Sequence, residues 1–220
     1  MTVLEILSEY RVMFLEGLST TLLLCLYIYP LGLVMGTILG SIGYRYRITG
    51  LLTRAFSTLI SATPILVILF WLHYPMQYIL DVVIDPFYTS VFAISLVAIF
   101  LISDIIYNSL SEFPQQYVSA AKVCGISSRT ILLRIQLPII VRQVLPSIIN
   151  ILVVILQTTL FTSLISVNEL FRVSQQINAE IYRPVEIYTA LGIFYIGISL
   201  VIFGIAHFIK IKYTRNLSEN

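Results

Sequence analysis

Hydrophobic residues run along this chain in long unbroken stretches, separated by short segments that hold nearly all of the charge. Residues 17–44, 55–80, 143–168 and 187–209 contain no Asp, Glu, Lys or Arg, and residues 86–111 contain one, Asp104. A helix that crosses a bilayer needs about 20 mainly apolar residues, so each stretch is long enough. Lipid offers no partners to backbone amides, which leaves helices and closed barrels as spanning structures. The runs are continuous and do not alternate at period two, which points to helices. The pattern predicts an all-α integral membrane protein with five transmembrane helices, at about 18–43, 56–80, 87–110, 143–166 and 187–209. A single transmembrane domain then covers residues 1–220 and leaves no room for a folded soluble domain.

Composition narrows the class further. Hydrophobic residues make up 58% and charged residues 11%, against about 45–50% and about 25% in soluble domains. Such a chain is neither disordered, nor a nucleic-acid binder, nor a small disulfide-stapled domain. Cys25 and Cys124 form no framework and no metal-ligand spacing. The distribution of the basic residues sets an orientation. Arg45, Arg47, Arg54, Lys122, Arg129, Arg134, Arg142, Lys210, Lys212 and Arg215 fall on one side of five spans, and Arg11, Arg172 and Arg183 on the other. The first set is therefore expected in the cytoplasm, with the N-terminus outside and the C-terminus inside. Glu5, Glu9 and Glu16 stand where a cleaved signal would carry basic residues, so the first helix is expected to be retained.

The segment 111–142 is long for a connection within a helical domain. Pro114 suits a first helical turn, Gln115 to Cys124 contains reasonable helix formers, and Gly125 suits a left-handed stop. Ser127 or Ser128 can cap a second helix in which Ile131, Leu132 and Ile135 recur opposite Arg129 and Arg134. Leu137-Pro138 is expected to end or kink it before the fourth span. Two readings follow: an amphipathic segment lying among headgroups, or a docking element for a cytoplasmic partner.

Here the residues resemble a family. Permease subunits of binding-protein-dependent ABC importers carry the motif Glu-Ala-Ala, three residues, Gly, nine residues, Ile-x-Leu-Pro. This chain has Ser119-Ala120-Ala121, Gly125 and Ile135-Gln136-Leu137-Pro138 at the same spacing. The resemblance implies a coupling helix-turn-helix seated on an ATPase subunit, whose closure on ATP it transmits. Ser119 replaces the usual Glu, so an ion pair to the ATPase at that position is missing or supplied elsewhere.

Other segments, from about residue 14 to 205, look like the polar amino-acid transporter subfamily. They are Glu16-Gly17-Leu18 with Thr21-Leu22, Ala62-Thr63-Pro64, Val167-Asn168-Glu169-Leu170, and Arg183-Pro184-Val185-Glu186-Ile187-Tyr188. Departures fall at charged positions. Ser61-Ala62 stands in place of Arg-Gly, Asp104 where Glu is common, Tyr107 where Arg is common, and Gln157-Thr158-Thr159-Leu160 in place of Lys-Asp-Thr-Ser. The resemblance thus implies a pathway through Thr63, Asp104, Gln157, Thr158 and Thr159, and a less charged cargo than arginine, histidine or glutamate.

Taken residue by residue, Asp104 is a full charge in a span, where an acid costs roughly 2.5–3.5 kcal/mol on insertion scales. It serves as a partner for a cargo ammonium or for another helix, or it reaches water near the cytoplasmic boundary. Gln157, Thr158 and Thr159 sit mid-span, as pathway lining or as polar glue. His73 and His207 read as interfacial residues and Cys25 as apolar filler. Gly32, Gly36 and Gly40 form two overlapping GxxxG spacings that permit close helix contact, including contact with a second permease subunit.

No Walker-type loop or metal motif is present, so no ATP hydrolysis and no metal are expected of this chain. The reading is a multi-pass bacterial inner-membrane permease subunit of an ATP-driven importer for a polar amino acid or close analogue. It is not an enzyme and binds no cofactor, with ATP-Mg on the partner subunits. Its implied partners are two cytoplasmic ATPase subunits, a second permease, an external solute-binding protein and the lipid bilayer. The alternatives are a permease for another small solute (an osmolyte or a peptide), or a channel or scaffold without an ATPase.

Overall fold

The first charge-free stretch folds as the greater part of a longer helix. In the computed structural model, which describes residues 2–214 and the side chains of 2–208, α1 (Val3–Glu9) leads after one residue into the 35-residue α2 (Arg11–Arg45). Among the expected cytoplasmic basic residues, Arg215 and the side chains of Lys210 and Lys212 lie outside the described residues. A capping box starts α1: the Thr2 hydroxyl accepts from the Glu5 amide, and the Glu5 carboxylate accepts from the Thr2 amide.

The second predicted span is not one helix. It comprises α3 (Arg47–Ala62), α4 (Ile65–His73) and α5 (Pro75–Leu80), with a 96° bend after α3. The cause is Pro64, whose ring pushes Thr63 into extended backbone (φ −93°, ψ 126°) and ends α3 there. The basic segment 45–54, read as a loop, is nearly all helix. Tyr46 alone is extended, so α3 begins at Arg47.

α6 (Pro86–Ser111) starts where the Asp85 carboxylate accepts from the Phe87 amide at 2.8 Å. It is followed by α7 (Gln115–Val123), α8 (Ser128–Ile131) and α9 (Leu137–Thr158). Leu137-Pro138 does not stop the chain. A π-helical turn over Leu132–Gln136 joins α8 to α9, and helix continues from 128 to 165 with a 3₁₀ end over Thr159–Ile165. Proline lacks an N–H and crowds the carbonyl four residues back, and a widened turn just before it absorbs both problems. The region 166–186, read as an outer loop, contains a 12-residue helix, α10 (Leu170–Ile181), before α11 (Pro184–Thr214). Among the described residues, four helical stretches are long and apolar enough to cross a membrane, and α3 with α4–α5 makes a fifth if that bent pair is one span.

The bundle is organised on α2 and α6. Built onto the glycines, a Cβ at Gly32 would lie 2.8 Å from Ala98 Cβ, at Gly36 2.8 Å from the Ile99 carbonyl oxygen, and at Gly40 2.5 Å from that of Ser103. Both numberings rise together, so the two helices run parallel with their backbones nearly touching. The glycine stripe is consumed inside the chain, not offered to a second subunit. α3–α5 run back along α6, with Ser57 at Phe100 and Asp104, and His73 at Thr89.

Three apolar clusters stack along this axis. Ile102, Ile106, Phe113, Ile140 and Val144 fill one end. Leu24, Ile28, Leu69, Ala98 and Ile155 belong to the middle cluster. Ile6, Phe14, Leu170, Ile177 and Ile187 close the other end, where Phe14 stacks on Phe194 at 5.5 Å.

We expect Gly40→Val to lower stability by about 1–3 kcal/mol, the usual penalty for overpacking. Gly197→Val, at a mid-helix glycine with nothing within 4 Å, should be near neutral and controls for helix propensity. The denaturant midpoint of the purified protein in detergent checks both.

Candidate functional site

The segment carrying the spaced motif stands off the bundle. α7 is exposed along most of its length, including Ser119 and Ala120, whereas Ala121 is buried. Its C-terminus is a Schellman motif: the Gly125 amide donates to the Lys122 carbonyl at 2.9 Å, and the Ile126 amide to the Ala121 carbonyl at 3.1 Å. Gly125 has φ +74°, the left-handed geometry that glycine adopts without strain. Two residues later the Ser127 hydroxyl caps α8 by accepting from the Thr130 amide. Ile135 lies in the π turn, partly buried, and Leu137 and Pro138 open α9, Leu137 exposed and Pro138 partly buried. One short linker therefore separates an exposed helix from an unbroken helical rod that enters the bundle.

The five pathway residues are not gathered in one place. Thr63 is partly buried, donates to the Leu59 carbonyl, and lines an apolar cavity of about 440 Å³ with Ile60, Val67, Trp71 and Leu96. Asp104 accepts a hydrogen bond from Ser57 on α3, making it a link between helices. Gln157 is exposed, and Thr158 partly so, with its hydroxyl on the Val154 carbonyl. Thr159 is fully buried, its hydroxyl on the Leu156 carbonyl at 2.7 Å. Gln157 and Thr158 thus face outward from this chain, and Thr159 faces inward.

Polar residues to which the sequence alone assigns no role of their own, Glu169 and Thr21 entering only within the family resemblance, hold the end of the bundle where α10 lies. Glu169 is fully buried and caps α10, its carboxylate accepting from the Phe171 and Arg172 amides, both at 2.8 Å. The Tyr195 hydroxyl of α11 donates to the same carboxylate at 3.4 Å, and Thr21 of α2 accepts from the Leu170 amide at 3.1 Å. The orphan amides that open α10 are thereby satisfied by Glu169 and by Thr21 of α2, while Tyr195 of α11 bonds the capping carboxyl group. An acid directly before Leu170, Val173 and Ile177 is the sequence signal for such a cap. Burial pushes the Glu169 carboxyl up to about 7, despite these donors pulling it down. A second cluster joins Gln77 to Thr89 at 3.1 Å and to the Ile84 amide at 2.8 Å, with His73 alongside, tying α5 to α6.

Folded, Glu169 keeps its proton up to about 7, and unfolded it loses it near 4.5. Its contribution to stability is therefore present below pH 4.5 and falls as pH rises through 7. We expect a higher melting temperature at pH 5 than at pH 8, and a smaller difference in Glu169→Gln, which cannot ionise; thermal melts at the two pH values read this directly.

Comparison with known proteins agrees with this architecture. The family model described as "Binding-protein-dependent transport system inner membrane component" matches residues 28–214. The chain is 25% identical to the nopaline transport system permease protein NocM of Agrobacterium fabrum, over 90% of this chain and 87% of that one. It is 29% identical to the glutamine transport system permease protein GlnP of Escherichia coli, over 86% and 87%. Among solved structures, an amino acid ABC transporter crystallised with histidines superposes with a TM-score of 0.82 at 21% identity, covering 94% of this chain and 96% of that one. The inward-facing MetNI methionine ABC transporter gives 0.74 at 16% identity, covering 93% and 98%. The fold is shared with both, and the chain belongs to the family of inner-membrane components of binding-protein-dependent transport systems.

Proposed function

We propose that this chain is the membrane-spanning permease subunit of an ATP-driven importer that takes up a polar amino acid or a close analogue by alternating access. The carrying observation is the motif at Ser119–Ala121, Gly125 and Ile135–Pro138, set on an exposed helix that joins an unbroken rod. Two cytoplasmic ATPase subunits would grip α7 and move it as they close on ATP. The Schellman stop fixes the angle between α7 and α8, and the continuous helix carries the displacement into α9. A rigid lever acting on a two-state bundle is what such a transition requires.

Because α2 and α6 run parallel, the chain between them must return across the membrane, which supports five crossings with the broken α3–α5 as the second. The basic side, with Arg45, Arg47, Lys122 and Arg129, is then cytoplasmic, the N-terminus outside and the C-terminus inside. A second permease, identical or related, would face the exposed Gln157 and the half-exposed Thr158 across the path. An external binding protein would deliver cargo to the end closed by α10. Relatives are named as permeases for glutamine, for nopaline and for histidine, lysine, arginine and ornithine. The neutral Gln157 and Thr158 favour the less charged part of that range.

Reconstituted in vesicles with its ATPase and binding protein, the wild-type chain should accumulate the amino acid its binding protein retains. Gly125→Val puts a β-branched residue at positive φ, and we expect it to abolish uptake and binding-protein stimulation of ATP hydrolysis while the ATPase still co-purifies. Unchanged coupling would remove the lever assignment. Gln157→Ala should lower uptake about fivefold, the worth of one hydrogen bond near 1 kcal/mol, without altering that stimulation.

A further inference from the structure

Where α2 hands over to α3, the chain builds a cleft of about 340 Å³ whose wall includes Arg45, Arg47, Arg54 and Tyr107. We propose that this cleft binds the phosphate of an anionic phospholipid, with an acyl chain of the same lipid laid along the outer face of α3. The site depends on membrane location alone and holds whatever the cargo.

The floor of the cleft is a backbone contact. A Cβ on Gly50 would lie 2.5 Å from the Gly43 carbonyl oxygen, so the backbones of α2 and α3 touch there, close to the turn that joins them. Arg45 and Arg47 flank Tyr46, the one extended residue between the two helices, and the Arg54 guanidinium lies 5.2 Å over the Tyr107 ring. All three arginines are exposed, and among the described residues none forms an ion pair. The nearby acid, Asp104, is engaged by Ser57. Three like charges sharing one cleft repel, and an anion between them removes that repulsion. Guanidinium groups match a phosphate in both charge and donor geometry.

A lipid, and not a soluble acidic surface, is favoured by what surrounds the charges. Leu51 lines the cleft and is 63% exposed, and Ile48, Leu52 and Phe56 continue the exposed apolar face along α3. Tyr44 and Tyr46 are also exposed beside the arginines, as aromatic residues are at a membrane–water boundary. Phosphate at the arginines with hydrocarbon against these leucines satisfies both parts of the surface. Basic pockets between membrane helices take anionic headgroups on this principle.

The test is native mass spectrometry of the full chain released from detergent, with dioleoylphosphatidylglycerol and dioleoylphosphatidylcholine at equal concentration. We expect phosphatidylglycerol to be retained preferentially, and retention to fall about fivefold for each arginine changed to glutamine. Arg45→Gln alone should show one such step if the triple variant folds poorly, and Arg54→Lys should keep part of the binding. Equal retention of the two lipids, or unchanged retention in the arginine variants, overturns the proposal. Displacement of phosphatidylglycerol by millimolar inorganic phosphate would assign the cleft to a free anion and also overturn it. So would unchanged lipid binding with loss of the co-purifying ATPase, which would make the arginines a protein contact.

Discussion

Two helices that run in the same direction through a membrane, backbone against backbone, constrain everything threaded between and around them. In this chain α2 and α6 are such a pair, and Gly32, Gly36 and Gly40 admit the approach. No hydrophobic force draws helices together in lipid, so van der Waals contact and interhelical polar links must supply the attraction. The parallel arrangement then obliges residues 46–85 to run back along α6, and this segment is held to α6 by neutral or internally partnered groups: Ser57 with Asp104, and Gln77 with Thr89. The remaining long helices close around this core, α9 on one side and α11 with α10 at one end.

The polar groups of the bundle divide into two kinds. Some at its seams are paired within the chain itself, as with Glu169, whose carboxyl group serves α10 and α11 together. Those on the open face, Gln157 and Thr158, leave side-chain surface available in the isolated chain. This division places structural duty on residues that resemble catalytic or binding groups in composition, and leaves the accessible face comparatively plain. At Glu169 the local donors offset part of the cost of burying an acid, and burial still outweighs them, so the group is held largely in its protonated form below about 7.

Much of this was legible in the residues. Charge-free stretches located all the long helices, because the absence of Asp, Glu, Lys and Arg is what the lipid environment demands. Gly125 and Ser127 announced a helix stop and a helix start, and both occur there. Legibility failed where local rules meet tertiary compensation. Thr63-Pro64 broke what hydropathy read as one span, since hydropathy is blind to backbone conformation. Leu137-Pro138 signals a helix end or a kink, and of the two the chain takes a local distortion, a widened turn before the proline that lets the helix continue. α10 was read as loop because its polar face dilutes the hydropathy signal, although Leu170, Val173 and Ile177 keep helical spacing. The glycine stripe named a close contact without naming the partner, which only the three-dimensional arrangement supplies. Of the pathway residues, spacing along one helix could place Gln157, Thr158 and Thr159 near one another but not decide which faced outward.

The glycine register has a mechanical consequence for the bilayer itself. At 1.5 Å per residue α2 is about 52 Å long and α6 about 39 Å, both exceeding a hydrocarbon core of about 30 Å. Unlocked helices would each relieve the mismatch by sliding or tilting on their own. Interdigitated at Gly32, Gly36 and Gly40, these two can respond only by leaning as one body, so membrane thickness becomes a load applied to the whole bundle and not to single spans.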